Sequence, residues 1–70
     1  MKISARNQLP GTVTSVTEGA VMSEVVVAVD GGHEIVSAIT AESARRLGLA
    51  EGRRVIAIIK STEVILAVDD

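Results

Sequence analysis

The sequence predicts an all-β domain: an OB-like five-stranded barrel with one short helix between strands 3 and 4. Val, Ile and Thr are abundant, and turn signals recur about every ten residues, which is typical of short paired strands. One segment, residues 40–47, changes from strand spacing to helical spacing. With 70 residues, the chain is expected to form a single domain over residues 1–70.

Turn residues set the bounds of the predicted strands. Asp30-Gly31-Gly32 is typical of a hairpin, because glycine adopts positive φ without steric cost. Pro10-Gly11 predicts a bulge or bend inside the first strand, since proline cannot donate to a sheet. Lys60–Glu63 is expected to be a tight connection. The predicted strands are, in order, Ile3–Ser15, Ala20–Val29, His33–Ile39, Arg53–Ile59 and Val64–Val68.

The helix is predicted over Thr40–Leu47. Thr40 is suited to be its N-cap, with an acidic residue in the first turn and arginines in the last. Gly48 stands where a left-handed residue ends a helix, and Leu49 is expected to close over Ala44 in a Schellman arrangement. Asp69 and Asp70 form an acidic tail after the last predicted strand.

Three of the predicted strands are apolar on both faces, namely Val25–Val29, Val55–Ile59 and Val64–Val68. Such strands are normally buried on both sides. One barrel covers only its inner face, so a neighbouring subunit is the simplest cover for the outer face. A domain of this size without disulfides is also commonly stabilised by oligomerisation.

Composition excludes several classes of protein. The chain has no cysteine and no aromatic residue, and its formal net charge is −2. A disulfide framework and a cysteine zinc site are therefore excluded. A nucleic-acid binder is disfavoured, because such domains carry basic surfaces and often stack bases on aromatic rings. No apolar run suits a membrane span and no signal sequence opens the chain, so we expect a cytoplasmic location.

No catalytic constellation is present, and an enzyme is the least favoured class. His33 is the single imidazole, and it stands directly after the predicted hairpin. A strand histidine without a nucleophile or a paired acid is far more often structural than catalytic. Asp30-Gly31-Gly32 lacks the spacing and the Lys-Ser/Thr ending of a phosphate-binding loop.

Hydrogen-bond donors form the one set of residues with a common chemistry. Each has an ordinary structural explanation alone, such as a helix cap for Thr40, helix-end charge for Arg46 or edge protection for Lys60. Together they favour anion binding, because they combine cations and hydroxyls with no acid among them. The set consists of Ser4 and Arg6, of Thr40, Ser43 and Arg46 at helical spacing, and of Lys60 and Ser61.

Three stretches resemble the Mop domain of the molbindins over essentially the whole chain. The opening Ser4–Gly11 resembles its S-A-R-N-x-L-x-G motif. Ile39–Leu49 resembles its I-T-x-x-S-A-x-x-L-x-L helix, and Ile58–Val64 resembles its I-K-[AS]-[ST]-x-V turn. The order and spacing of the three stretches match those of the family, and the opening motif is the most specific of them.

The resemblance implies an OB-like subunit of a cytoplasmic hexamer, a trimer of dimers, that binds and stores molybdate or tungstate between subunits. No organic cofactor, nucleic acid or membrane is implied. A second kind of site near the three-fold axis uses mainly backbone groups; Asn7 and the glycine turns are its candidates here. Family positions of the inter-subunit site correspond to Ser4, Arg6, Thr40, Ser43, Arg46, the backbone at Ile59, Lys60 and Ser61.

Two other functions stay open on the sequence alone. The same domain type occurs in molybdate-responsive regulators and transporter ATPases, so the chain could be a sensing module that acts on a separate partner. The other hypothesis is an OB-fold nucleic-acid binder, which the negative charge and the missing aromatic residues disfavour.

Overall fold

The computed structural model describes residues 1–69, and these form one curled antiparallel sheet, a short α-helix and a 3-10 turn. Asp70, predicted with Asp69 as an acidic tail, lies outside the described residues. The elements are β1 (Asn7–Glu18), β2 (Met22–Val29), β3 (Glu34–Thr40), α1 (Ala41–Arg46), β4 (Arg54–Ile59) and the 3-10 turn Ser61–Glu63.

The long strand β1 organises the sheet, whose strand order is β3-β2-β1-β4. Its C-terminal part pairs with β2, and its N-terminal part pairs with β4, where Asn7 lies opposite Ile59. β3 adds to the free side of β2, so β3 and β4 are the two open edges. The predicted all-β, OB-like class and the position of the helix between the third and fourth strands are confirmed.

The centre of the sheet holds the hydrophobic core. Val13, Val25 and Val27 alternate inward from β1 and β2 and are at most 4% exposed. Ala41 and Ala44 of α1 are also buried, so the helix covers one end of this face. Partly buried residues pack around the valine cluster, namely Val16, Ile39, Leu49 and Val55.

Local turn and cap predictions are confirmed. Gly31 and Gly32 have φ of 102° and 112°, as the predicted hairpin requires. The N–H of Ser43 donates to Oγ1 of Thr40 at 3.0 Å, which makes Thr40 the N-cap. At the other end, the N–H of Leu49 donates to the carbonyl of Ala44 at 3.0 Å, the bond that defines a Schellman motif.

The first strand is shifted from its prediction. It begins at Asn7 rather than Ile3, and its pairing with β4 continues without interruption through Pro10 and Gly11. The irregularity lies between Val13 and Ser15 instead. The carbonyl of Pro10 accepts from the N–H of Asp30 at 3.0 Å, which ties this part of β1 to the end of β2.

The predicted fifth strand, Val64–Val68, is wrong for the single chain. These residues follow the 3-10 turn and belong to none of the strands in the described part of the chain. Ile65 is 93% exposed and Leu66 is 88% exposed. A strand needs neighbouring N–H and C=O groups, and beyond this turn the segment meets no edge of its own sheet.

The concave side of the sheet is open between its two edges. A groove of about 840 Å³ lies between the inner faces of the edge strands β3 and β4. Ile35 and Ile39 line it from β3, and Val55, Ala57 and Ile59 line it from β4. The sheet of one chain is therefore curled but not closed.

Candidate functional site

Part of the predicted anion-binding set meets where β1 begins and β4 ends. Because Asn7 is the last partner of Ile59, Arg6 and Lys60 occupy neighbouring positions just beyond the paired strands. Adjacent antiparallel strands are about 5 Å apart, so the backbone positions of these two cationic residues are neighbours across the strand ends. The strand-end group consists of Ser4, Arg6, the backbone at Ile59, Lys60 and Ser61.

The turn that carries Lys60 is held on both sides. Nδ2 of Asn7 donates to the carbonyl of Ile59 at 3.1 Å. The N–H of Glu63 donates to the carbonyl of Lys60 at 2.9 Å and closes the 3-10 turn. The Lys60 side chain is exposed, so its ammonium can reach a ligand while its backbone is fixed.

The arm before β1 is also fixed by a side chain. Nε2 of Gln8 donates to the carbonyl of Ala5 at 2.7 Å. Ala5 stands between Ser4 and Arg6, so this bond holds the segment that presents both of these side chains. Ser4 and Arg6 are exposed and precede β1, whereas the sequence prediction placed them inside the first strand.

A second part of the set lies on α1. Thr40 and Ser43 are joined at the start of the helix, where Oγ1 of Thr40 donates to Oγ of Ser43 at 2.7 Å. Arg46 is the last helical residue and is exposed. We call Thr40, Ser43 and Arg46 the helix group. Thr40 caps the helix, because its Oγ1 accepts from the N–H of Ser43. Since Oγ of Ser43 accepts the proton of Thr40, the hydroxyl proton of Ser43 itself is available to a ligand.

The strand-end group and the helix group lie at opposite ends of β1. The helix follows β3 where Thr40 pairs with Met22, and Arg45 of α1 forms an ion pair with Glu18, the last residue of β1. The strand-end group adjoins Asn7, the first residue of β1. This strand has 12 residues and is up to about 36 Å long when extended. No hydrogen bond or ion pair within residues 1–69 joins the two groups.

The cations of the two groups form no ion pairs, unlike two other arginines of the chain. Arg6, Arg46 and Lys60 take part in no ion pair within the described residues, whereas Arg45 pairs with Glu18 and Arg54 pairs with Asp30. The Arg54–Asp30 pair is bidentate, at 2.9 and 2.8 Å. The hydrogen bonds from Arg54 hold the pKa of Asp30 below its ordinary value. The two charges of this pair neutralise each other, so Arg54 does not offer a free cation to a ligand.

Metal ligands and membrane segments are absent from the described part of the chain. No group of three or more His, Cys, Asp and Glu residues there could hold a metal ion. None of its helices has the length and apolar character that crossing a bilayer requires. The chemistry that the two groups offer is the binding of an anion by hydroxyls, ammonium and guanidinium groups.

The model of the TOBE domain matches residues 3–66, which is most of the chain. The chain belongs to the TOBE domain family. The match includes every residue of the strand-end group and the helix group. The relation covers nearly the full length of short relatives as well: molybdenum-pterin-binding protein 1 of Clostridium pasteurianum is 46% identical over 66 residues, 94% of this chain and 97% of that protein.

Solved structures agree with this TOBE fold. MopII from Clostridium pasteurianum has a TM-score of 0.91 at 43% identity, covering 96% of this chain and all of that one. A molybdate-binding protein from Sporomusa ovata has a TM-score of 0.90 at 41% identity, covering 97% and 100%. The cytoplasmic molybdate-binding protein ModG, in a form with molybdate bound, has a TM-score of 0.85 at 49% identity, covering 87% of this chain and 43% of ModG.

The structure adds Gln8 to the residues that the sequence selected, and it places Asn7, a candidate for the second kind of site, beside the strand-end group. Asn7 and Gln8 bond to backbone carbonyls on either side of the strand-end group. They are the chain's single asparagine and single glutamine, and they directly follow Arg6. That adjacency is the signal in the sequence, but the carbonyls to which they bond become visible only when β1 and β4 are paired.

Proposed function

We propose that this TOBE chain binds molybdate or tungstate reversibly and stores it, without catalysis, at sites shared between subunits of a homo-oligomer. The observation that carries the proposal is the separation of the two cationic groups at opposite ends of β1. A single site that uses both groups takes the strand-end group from one copy and the helix group from another. We take molybdate as the anion because the relatives and structural neighbours are named as molybdenum-pterin-binding or molybdate-binding proteins.

The donors suit a tetrahedral dianion whose four oxygens all accept hydrogen bonds. Arg6 can donate two parallel bonds and Lys60 adds a compact charge, while Ser4, Ser43 and Ser61 offer hydroxyl protons. Charge-assisted bonds contribute roughly 1.5–3 kcal/mol each, so three or four give micromolar affinity or better after the costs of ordering. Arg46 supplies the third cation from the helix group, and Thr40 acts there as a ligand or as the cap of Ser43.

A site shared between two chains can enclose the anion, which a site on the surface of one chain cannot. Both groups are largely exposed in one chain, and an anion bound in water gains little from a surface charge. Bringing the groups together removes water and strengthens each bond. The anion in turn neutralises Arg6 and Lys60, which repel each other without it, so ligand binding also stabilises the assembly.

Exposed apolar residues support the homo-oligomer. The segment Val64–Val68 is apolar and unpaired, and the groove between β3 and β4 is apolar and open. A second copy offers both missing partners at once. The resemblance to the molbindins extends this proposal to a hexamer, a trimer of dimers, in the cytoplasm, with each chain forming one Mop domain over residues 1–70.

Native mass spectrometry with molybdate, and with sulfate as the control anion, tests binding and assembly together. We expect a hexamer that gains discrete molybdate masses and ignores sulfate. A single chain that binds neither anion would refute the proposal.

Mixing two defective variants tests the sharing of the site. Lys60→Ala removes a cation from the strand-end group, and Arg46→Ala removes one from the helix group. Neither variant alone should bind with wild-type affinity. In randomly mixed oligomers about one site in four combines two intact groups, so wild-type affinity returns at that fraction of sites. A site within one chain would show no recovery.

Arg45→Ala is the matched control for the helix variant. Arg45 precedes Arg46 on the same helix but is paired with Glu18, so its removal should leave molybdate affinity unchanged. Equal loss of affinity in the Arg45 and Arg46 variants would show that net charge, rather than this donor set, attracts the anion.

A further inference from the structure

The two carboxamide side chains, Asn7 and Gln8, have parallel roles in the fold. Asn7 donates to the carbonyl of Ile59, and Gln8 donates to the carbonyl of Ala5. Each of these carbonyls belongs to the residue directly before a cation of the strand-end group: Ile59 precedes Lys60, and Ala5 precedes Arg6. The side chains of neighbouring residues on a strand point to opposite faces, so the pair holds both segments from two sides.

We propose that Asn7 and Gln8 are positioning residues for oxyanion binding, which hold the peptides from which Lys60 and Arg6 project. The inference rests on the proposed function, because it assigns a role to residues beside the donors of that site. Neither carboxamide is itself proposed as a ligand.

The planar trans peptide bond explains how a bond to a carbonyl orients the cation that follows it. The peptides are trans, so the N–H of Lys60 points away from the carbonyl of Ile59, and the N–H of Arg6 points away from that of Ala5. Fixing each carbonyl therefore fixes the direction of the N–H and of the Cα that carries the charged side chain. Each bond also occupies a carbonyl lone pair that would otherwise repel an anion nearby.

Exposure makes these bonds necessary. Apart from Ile59, the strand-end group lies outside the last paired residues of β1 and β4, where ladder bonds no longer hold the backbone. Ser4, Arg6 and Lys60 are all exposed, and long exposed side chains lose freedom when a ligand binds. Two side-chain bonds that order the backbone beforehand reduce that loss, which is the effect of preorganisation on affinity.

The test is calorimetry with sodium molybdate on Asn7→Leu and Gln8→Met, two changes that keep size and remove the donor. We expect each to raise the dissociation constant about 3- to 10-fold, the factor that ordering one or two side chains is worth. Gln8 is exposed, so Gln8→Met also serves where the half-buried Asn7 position does not tolerate leucine.

Double-mutant cycles separate positioning from general destabilisation. If Asn7 acts through Lys60, Asn7→Leu should change the dissociation constant less than about twofold when Lys60 is already alanine. Gln8→Met should keep its full effect in that background and lose it when Arg6 is alanine. Fully additive effects in the matched pairs would overturn the assignment.

Thr14→Val is the matched control, because Oγ1 of Thr14 donates to the carbonyl of Val26 at 3.3 Å in the middle of the sheet. It removes the same kind of bond and should leave affinity unchanged. If the wild type binds molybdate and both carboxamide variants bind it equally well, the positioning role is refuted while the proposed function stands. Wild-type protein that takes up no molybdate would refute the proposed function together with this inference.

Discussion

Valine and isoleucine occur in two very different environments in this molecule. In the centre of the sheet, Val13, Val25 and Val27 are at most 4% exposed. In the C-terminal segment, Ile65 is 93% exposed and Val68 is 85% exposed. The same class of side chain is therefore buried in the core in one region and exposed to solvent in the other.

The two edge strands resemble the C-terminal segment, because they also expose large apolar side chains. Val36 on β3 is 61% exposed, and Ile56 on β4 is 50% exposed. Exposed apolar residues that adjoin an open groove and two free strand edges mark an interaction surface. The difference between the regions shows that folding of one chain buries the centre of the sheet and leaves its margins exposed.

Shortening a central valine should have the largest effect on stability. Val25→Ala leaves a cavity in the valine cluster and removes buried methyl groups, so we expect a loss of about 2 kcal/mol in the free energy of unfolding. Urea unfolding measures it. Val36→Ala, on the exposed face of the neighbouring strand, is the control and should cost much less. Equal losses would contradict the division between centre and margin.

A charge in the C-terminal segment should affect assembly instead. Leu66 is 88% exposed, so Leu66→Asp removes no contact that the single chain needs. In an assembly, the aspartate would be desolvated against an apolar neighbour, and we expect the oligomer to dissociate at concentrations where the wild type stays associated. Analytical ultracentrifugation measures the mass.

Ala50→Asp is the control for that change, since it adds the same charge on the exposed loop between α1 and β4. Its mass should match that of the wild type. If Leu66→Asp left the mass unchanged as well, the exposed segment would not be part of the interface, and another surface would have to account for assembly.

The sequence predicted local features well because the signals that set them are local. Glycines with positive φ define the β2–β3 hairpin, and the cap at Thr40 and the turn after Gly48 depend on residues within one helical turn. The anion-binding set was also selected by residue type, and the structure brings the strand-end members together through the pairing of Asn7 with Ile59.

Features that depend on distant residues were not predictable in the same way. The apolar pattern of Val64–Val68 is that of a strand, but pairing requires an edge, and the chain alone offers none after its 3-10 turn. The continuity of β1 through Pro10 and Gly11 depends on Asp30 and on the carbonyl of Ala28, which would lie 2.6 Å from a Cβ at residue 11. Such approaches exist only after β1 and β2 have paired.

The ion pair at the end of the central strands gives the smallest predicted effect, a change of stability with pH. Arg54 of β4 bonds to Asp30 after β2 and to Oγ1 of Thr12 in β1, so it joins three strands. The bonds from Arg54 lower the pKa of Asp30, so the folded state binds a proton there less readily than the unfolded state. The stabilisation is therefore complete above the ordinary aspartate pKa of about 3.9 and is lost as the pH falls through the lowered value.

Asp30→Asn tests this by removing the charge while keeping the side chain's size. Above about pH 5 the variant should be slightly less stable than the wild type, and the difference should shrink toward zero in stronger acid. It should be small at any pH, because both side chains are more than half exposed and water screens the pair. Glu34→Gln, which removes a carboxylate without an ion pair in the described residues, is the control. A difference that persists unchanged in strong acid would mean that the pair holds the strands by shape and hydrogen bonding rather than by charge, so that this end of the sheet, like its valine centre, does not depend on ionisation.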